Sequence, residues 1–234
     1  MESNFLNSNT SNSMGSPTNR KARVSVPFFN SIVIVILTSV VSKGIMLAKS
    51  VRKIRICRRI NVGNVILVCG LNGAGKSTLA KALAERINHR FIDIEDIYFS
   101  NQDNPDYPYE KSRPYGEVVS LLTDIVNNEN DFVLASVTGS FGDEFISHLK
   151  CVISIEVPRE MRLKRVYDRS YVLFGDKGCE GGAFYEQIKQ FHNFCASRDE
   201  NLVNDWLSTI CCPVIRVDGT LPIWDNVNLI AEKL

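Results

Sequence analysis

Residues 70–78 read GLNGAGKST and satisfy the pattern G-x-x-x-x-G-K-[ST] at Gly70, Gly75, Lys76 and Ser77. Glycines at Gly70, Gly73 and Gly75 allow backbone conformations closed to residues with a Cβ, so consecutive N–H groups can turn inward around phosphate oxygens. Lys76 adds a point charge for β and γ phosphates, and Ser77 a hydroxyl for Mg2+. Asn72, Ala74 and Thr78 complete the stretch expected to wrap a nucleotide. A helix beginning there turns its positive dipole end and its unpaired N–H groups toward the same anion.

The flanking sequence has the required order. Residues 64–69, NVILVC, form a short apolar run suited to a strand buried on both faces. After the loop, Leu79, Ala80, Leu83, Ala84 and Ile87 share one helical face, while Lys81, Glu85 and Arg86 share the other. Strand, glycine loop and amphipathic helix together imply a nucleotide site.

Further along, apolar runs alternate with helical stripes. Residues 89–96 (HRFIDIED), 131–137 (DFVLASV), 151–157 (CVISIEV) and 212–217 (CPVIRV) read as strands. Val118, Leu121, Leu122 and Ile125 stripe a helix between the second and third of these five strands. Pro158 opens another helix, and glycines between 175 and 182 interrupt a long helical region. Further stripes run Phe184, Ile188, Phe191, Cys195, then Val203, Trp206, Leu207, Ile210, and finally Val227, Ile230, Ala231, Leu234. Strands alternating with helices predict an α/β fold, a parallel sheet covered on both faces.

Two further groups of residues bear on chemistry. Asp93, Glu95 and Asp96 stand at the end of the second strand, where open parallel sheets bind ligands. Strand alternation predicts Asp93 and Glu95 on one side. A carboxylate there can hold Mg2+ or accept the proton of an attacking hydroxyl, which gives Asp93 a metal, substrate-binding and catalytic role and Asp96 a substrate-binding one. In PREMRLKRVYDRS, residues 158–170, Arg162, Arg165 and Arg169 recur at helical spacing. Guanidinium forks on one helix face suit the charge that spreads over equatorial oxygens during phosphoryl transfer, so Arg165 and Arg169 are the catalytic candidates beside Lys76.

These features resemble the nucleoside monophosphate kinase and shikimate kinase group of small P-loop phosphotransferases, the adenylate kinase-like proteins. The resemblance rests on the glycine loop, the acidic motif, the R-x-x-x-R pair at Arg165 and Arg169, and DGT at residues 218–220, and it covers 64–234. It implies a five-stranded parallel sheet in the order 2-3-1-4-5, a three-layer sandwich, and a mobile helical lid at about 159–210. It also implies a loop at Asp218 and Gly219 beside the adenine. F-I-D-I-E, residues 91–95, is similar to the F-x-D-x-D of shikimate kinases, with Glu95 in place of the second aspartate. The resemblance also offers Arg113, in YEKSRPYG, as a contact for an anionic acceptor, as arginines in the substrate-binding region of these enzymes are, and SRP is equally a helix-start signal.

The rest of the composition sets limits. The 234 residues carry a net charge of +1, so no global field points to nucleic acid. Seven scattered cysteines, without a C-x-x-C pair, predict reduced thiols in the cytoplasm. Residues 1–22 are polar and predicted to be disordered, residues 23–60 are hydrophobic and then basic, and residues 61–234 form the P-loop kinase-like domain. The uncharged run 24–42 stands at the lower length limit for a membrane span, and a basic cluster follows it. Membrane contact through residues 24–48, an extension outside the fold, and a start at Met46 all stay open. Two functions also stay open. One is an ATP- and Mg2+-dependent kinase of a small-molecule acceptor; the other is an ATPase or switch acting through a protein or membrane partner. The kinase is favoured, because no acid follows the third strand at Ser136–Val137–Thr138 to activate water and no N-K-x-D guanine motif occurs.

If residues 24–42 span a bilayer, the full chain will stay in the membrane pellet after carbonate extraction, and a chain starting near Asn61 will not. Recovery of the full chain in the supernatant would refute the anchor.

Overall fold

β1 (Val65–Cys69) is buried at all five positions, as an apolar run between two covered faces requires. The computed structural model that shows this describes residues 64–99, 109, 111–129 and 131–234. The segments expected over 1–60, with the membrane contact at 24–48, lie outside these residues. Among the described residues no helix is long and apolar enough to cross a membrane.

Around β1 the chain runs α1 (Lys76–Arg86), β2 (Arg90–Asp93), α2 (Ile94–Tyr98), α3 (Tyr115–Asn128), β3 (Phe132–Ala135), α4 (Asp143–Ser147) and β4 (Leu149–Glu156). It continues with α5 (Arg159–Phe174), a 3-10 turn (Gly175–Gly178), α6 (Tyr185–Ser197), α7 (Leu202–Leu207), β5 (Val214–Asp218) and α8 (Ile223–Ala231). The strands form one parallel sheet in the order β2-β3-β1-β4-β5. This is the order expected from the resemblance, with helices on both faces.

Alternation along the strands divides the core in two. Val65, Leu67, Cys69, Phe132 and Leu134 pack with Val118, Leu122 and Val126 of α3 and with Trp206 of α7. Ile66, Val68, Val133 and Ile153 face the other way and pack with Leu79, Ala80 and Leu83 of α1 and with Val227 and Ile230 of α8. α1 therefore sits directly on the sheet, and its first residue, Lys76, is held at the carboxyl end of β1. Burial raises the thiol pKa of Cys69 to about 12 and that of Cys195 to about 11, so both stay protonated at neutral pH.

The second strand departs from expectation. The stretch read as a strand over 89–96 ends at Asp93, and a helix starts at Ile94. Asp93 has an extended backbone, and its Oδ1 accepts the Glu95 N–H at 3.0 Å, capping α2. Glu95 and Asp96 then occupy the first helical turn, where negative charge suits the dipole. Asp93 and Glu95 are consequently not alternate residues of one strand.

Leu83 has no exposed surface and joins α1 to the sheet. Leu83→Ala should lower unfolding stability by about 2–5 kcal/mol. In urea titration the midpoint should fall at constant slope, and an unchanged midpoint would show that α1 does not carry this packing.

Candidate functional site

The turn between β1 and α1 adopts the shape that its glycines permit. Gly73 has φ +80°, and Gly75, with φ +93°, caps α1 without any side-chain bond. The first-turn N–H groups of α1 thus have no side-chain acceptor at their cap and no intrahelical one. Ala74 donates its N–H to the Leu71 carbonyl at 3.1 Å, and Lys76 Nζ reaches back to the same carbonyl at 3.4 Å. Burial lowers the Lys76 pKa; the carboxylates of Glu95 and Asp93 act against this, and Arg198 and Arg169 act with it. The phosphate loop, the acidic turn and two arginines from the α5–α6 region therefore share one electrostatic neighbourhood.

Arg162, Arg165 and Arg169, three of the four arginines of α5, serve three different places. Arg162 is only 3% exposed and lies behind the loop. Its Nε donates to the Val157 carbonyl at 3.2 Å, one Nη to the Asn72 carbonyl at 3.3 Å, and the other to both Glu200 carboxylate oxygens at 2.6 and 2.5 Å. Arg165 donates to the Gly219 carbonyl at 3.1 Å. Arg169 reaches the acidic turn, pairing with Glu95 Oε2 at 3.2 Å and the Tyr109 hydroxyl at 3.0 Å. Burial opposes the Arg169 charge, yet Glu95 and Tyr109 outweigh it and raise its pKa. The spacing that suggested one guanidinium face is real, but its members divide between loop support, the loop after β5 and the acidic turn.

Asp218 is the last residue of β5, one position beyond the strand read over 212–217, and Gly219 follows it. Asp218 Oδ1 accepts from the Thr220 N–H at 2.8 Å and hydroxyl at 2.7 Å, which lowers its pKa. Asn226 Nδ2 donates to the Asp218 carbonyl at 2.7 Å. A cavity of about 260 Å3 opens there, lined by Gly75, Thr78, Arg165, Gly219, Leu221 and Asn226. A larger cavity of about 600 Å3, bordered by Gly70, Glu156, Asn204 and Arg216, lies beside β4, β5 and α7 and touches neither Lys76 nor Ser77. Both border the phosphate loop, the larger at Gly70 and Leu71 and the smaller at Ala74, Gly75 and Thr78 by the α1 N-terminus.

Arg113 is bonded within its own neighbourhood. Its guanidinium donates to the Ile97 carbonyl at 2.5 Å and pairs with Glu117 at 3.1 Å, tying the chain ahead of α3 to α2. The helix-start component of SRP is borne out by α3, capped at Pro114. Asp96 lies in the first turn of α2, and Ser77 in the first turn of α1.

Three residues had no sequence signal. Tyr109 enters through Arg169, Glu200 through Arg162, and Arg198 through Asn72, whose side-chain oxygen accepts from Arg198 Nη1 at 2.6 Å. None belongs to a motif. Arg198 and Glu200 follow a helix whose stripe ends at Cys195, and only the turn of the chain beyond it brings them to the loop.

An AAA domain family model, AAA_18, matches residues 66–177, from β1 through the turn after α5. An uncharacterized protein of Bacillus subtilis (strain 168), YqaC, is 25% identical over 72% of this chain and 96% of its own length. A shikimate kinase of Prochlorococcus marinus (strain MIT 9211) is 26% identical over 48% of this chain, which spans 59% of that enzyme. Among solved structures, a gluconokinase from Sinorhizobium meliloti 1021 aligns over 75% of this chain and 97% of its own, with 14% identity and a TM-score of 0.43. The strand order and the phosphate loop, with the family and shikimate kinase matches, support a place in the nucleoside monophosphate and shikimate kinase-like group of P-loop proteins.

A Cβ on Gly73 would stand 2.1 Å from the Arg162 carbonyl oxygen, and its φ disfavours any L side chain. Gly73→Ala should weaken nucleotide binding at least tenfold in calorimetry while far-UV circular dichroism stays native. Unchanged binding would mean that the loop does not need this close approach.

Proposed function

We infer that the protein is an ATP-dependent, Mg2+-assisted phosphotransferase acting on a small-molecule alcohol. The observation that carries this is that Arg169 bonds Glu95 at 3.2 Å in the turn capped by Asp93, and that both carboxylates and Arg169 act on the charge of Lys76 in the phosphate loop. A phosphate-binding lysine, carboxylates able to take a proton, and a guanidinium able to meet transferred charge are the parts that phosphoryl transfer to a hydroxyl needs. Similarity to a shikimate kinase supports a small-molecule acceptor.

In this reading the loop N–H groups and Lys76 hold the phosphates, and the base and ribose occupy the cavity between Thr78, Arg165 and Gly219. Asp93 Oδ1 is committed to its cap, which leaves Oδ2 to accept the acceptor's hydroxyl proton. The alcohol oxygen attacks the γ phosphorus, the bond from that phosphorus to the β–γ bridging oxygen breaks, and ADP leaves with the bonding pair. Arg169 stands where charge on the moving phosphoryl group and an acid of the acceptor side can both be met.

Among the described residues no group of three His, Cys, Asp or Glu can hold a metal. That suits Mg2+, which enters such sites on phosphate oxygens and water with one or two protein ligands. Ser77, at the start of α1, would be the direct ligand, and Asp93 would hold the ion through water. When bound, the ion neutralises charge on the β and γ oxygens. Ser136, directly after β3, is buried and supplies no carboxylate to activate water, which favours transfer over hydrolysis.

The test is a panel of nucleoside monophosphates, shikimate, sugars and amino-sugar alcohols scored for acceptor-dependent ADP release. Lys76→Ala should abolish turnover in a folded protein. Arg169→Ala should lower kcat by roughly 10²-fold with little change in ATP affinity, whereas Arg165→Ala, placed at the nucleoside cavity, should mainly raise the KM for ATP. Steady hydrolysis that no small molecule diverts, and that only a protein or membrane partner alters, would overturn the kinase reading in favour of an ATPase or switch.

A further inference from the structure

The strand ends fix what lies between the phosphate loop and the acidic turn. Asp93, last in β2, pairs in register with Ala135, last in β3, and Val68 of β1 pairs with the same residue on the other side. The turn over 136–140 therefore leaves the sheet between the two, and the Gly70 N–H donates to its Val137 carbonyl at 3.3 Å. An acceptor hydroxyl that reaches a phosphate held at Lys76 has this turn as its floor.

That floor carries hydroxyls and no charge. Gly139 is pressed onto the core, where a Cβ would stand 2.6 Å from Trp206 Cζ2 and 2.9 Å from Leu67 Cδ2. Thr138 and Ser140, on either side of it, keep accessible surface, and the Thr138 hydroxyl donates to Ser140 Oγ at 3.2 Å. The Tyr115 hydroxyl donates to the Ser140 carbonyl at 2.5 Å and holds the far end of the turn. Hydroxyls both give and take hydrogen bonds, which matches the hydroxyls of a polyol.

The guanidiniums beside this floor are already neutralised. Arg169 bonds Glu95 Oε2 at 3.2 Å, and Arg113 pairs with Glu117 at 3.1 Å while donating to the Ile97 carbonyl at 2.5 Å. Arg165 is turned away to the Gly219 carbonyl. Asp93 commits only Oδ1 to its cap, and Asp96 stands exposed in the same turn. The carboxylates of Asp93, Glu95, Asp96 and Glu117 thus outweigh the charges of Arg113 and Arg169. An incoming carboxylate or phosphate gains a cation there only by breaking an ion pair, and it leaves Glu95 or Glu117 uncompensated.

We propose that the acceptor is an uncharged polyhydroxy compound of the sugar or cyclitol class, and that the Glu95–Arg169 pair turns away carboxylates and phosphate monoesters. This rests on the kinase reading above and specifies its substrate. Asp93 Oδ2 takes the proton of one hydroxyl, whose oxygen gains the γ phosphoryl group as ADP leaves with the bonding pair. Thr138 and Ser140 hold other hydroxyls of the same molecule, and no group of it calls for a cation.

Initial rates with matched acceptors at fixed Mg2+-ATP test this on the full chain. The pairs are glucitol against gluconate, glucose against glucose 6-phosphate, and methyl shikimate against shikimate, each read as ADP formed and as phosphorylated acceptor by phosphorus NMR. In every pair that is turned over, the uncharged member should have a kcat/KM higher by about tenfold or more. Glu95→Gln keeps the side-chain shape, releases Arg169 from its pair and should move that ratio toward the charged member by about tenfold, whereas Glu95→Asp, which keeps the charge, should move it by less than about threefold. A wild-type preference for the charged members, or a ratio that Glu95→Gln leaves in place, would overturn the proposal while the kinase reading stands. ATP hydrolysis without phosphate on any member of any pair would overturn the kinase reading itself, and the substrate assignment with it.

Discussion

The guanidinium of Arg162 is the joint on which the site depends. It ties the end of β4 through Val157, the phosphate loop through Asn72 and the segment after α6 through Glu200. Arg162 is nearly inaccessible to water while Glu200 is exposed on its outer side, so the guanidinium depends on all of these acceptors to offset its own desolvation. Gly73 passes so close to the Arg162 backbone that loop and helix are effectively one surface. The shape of the loop is therefore set by a helix that begins almost ninety residues later in the chain as much as by its own glycines.

Around that joint, charge is arranged unequally. At the acidic turn, Glu95 and Arg169 neutralise each other and the Tyr109 hydroxyl completes the set. At the phosphate loop, Lys76 feels the carboxylates of Glu95 and Asp93 as well as the repulsion of Arg198 and Arg169, and Arg198 has the Asn72 side-chain oxygen as its acceptor. A polyanion entering at the loop gains from the cations held there, whereas a ligand entering at the Glu95–Arg169 pair must exchange with a bond already made. Order of binding and tightness of binding need not follow from the same residues.

Much of this was legible in the sequence. Strand, loop and first helix follow from local pattern, because a buried parallel strand and an amphipathic helix each declare themselves within a dozen residues. The sheet order came through the resemblance and matches the observed one. The end of the second strand was misjudged because Asp93 serves equally as a strand residue and as a cap, and only its bond to the Glu95 N–H decides between them. Arg113 shows a similar ambiguity, since a guanidinium beside a cleft and one bound to a helix end look alike in sequence. Arg198 and Glu200 were invisible for a stronger reason. Their partners lie far away in the chain, at Asn72 and Arg162, and carry no reciprocal motif.

The register of the sheet has a kinetic consequence. β1 pairs on one side with β3, Val65 opposite Phe132, and on the other with β4, Ile66 opposite Cys151. None of the partners of this central strand is local, so loop-closure entropy must be met before its pairing returns any free energy. Until then the apolar run at 65–69 presents two open edges to solvent and to other chains. The strand that carries the nucleotide loop is thus also the segment whose exposure during synthesis most invites misassembly, and a ligand that recognises only the finished loop acts after that hazard has passed.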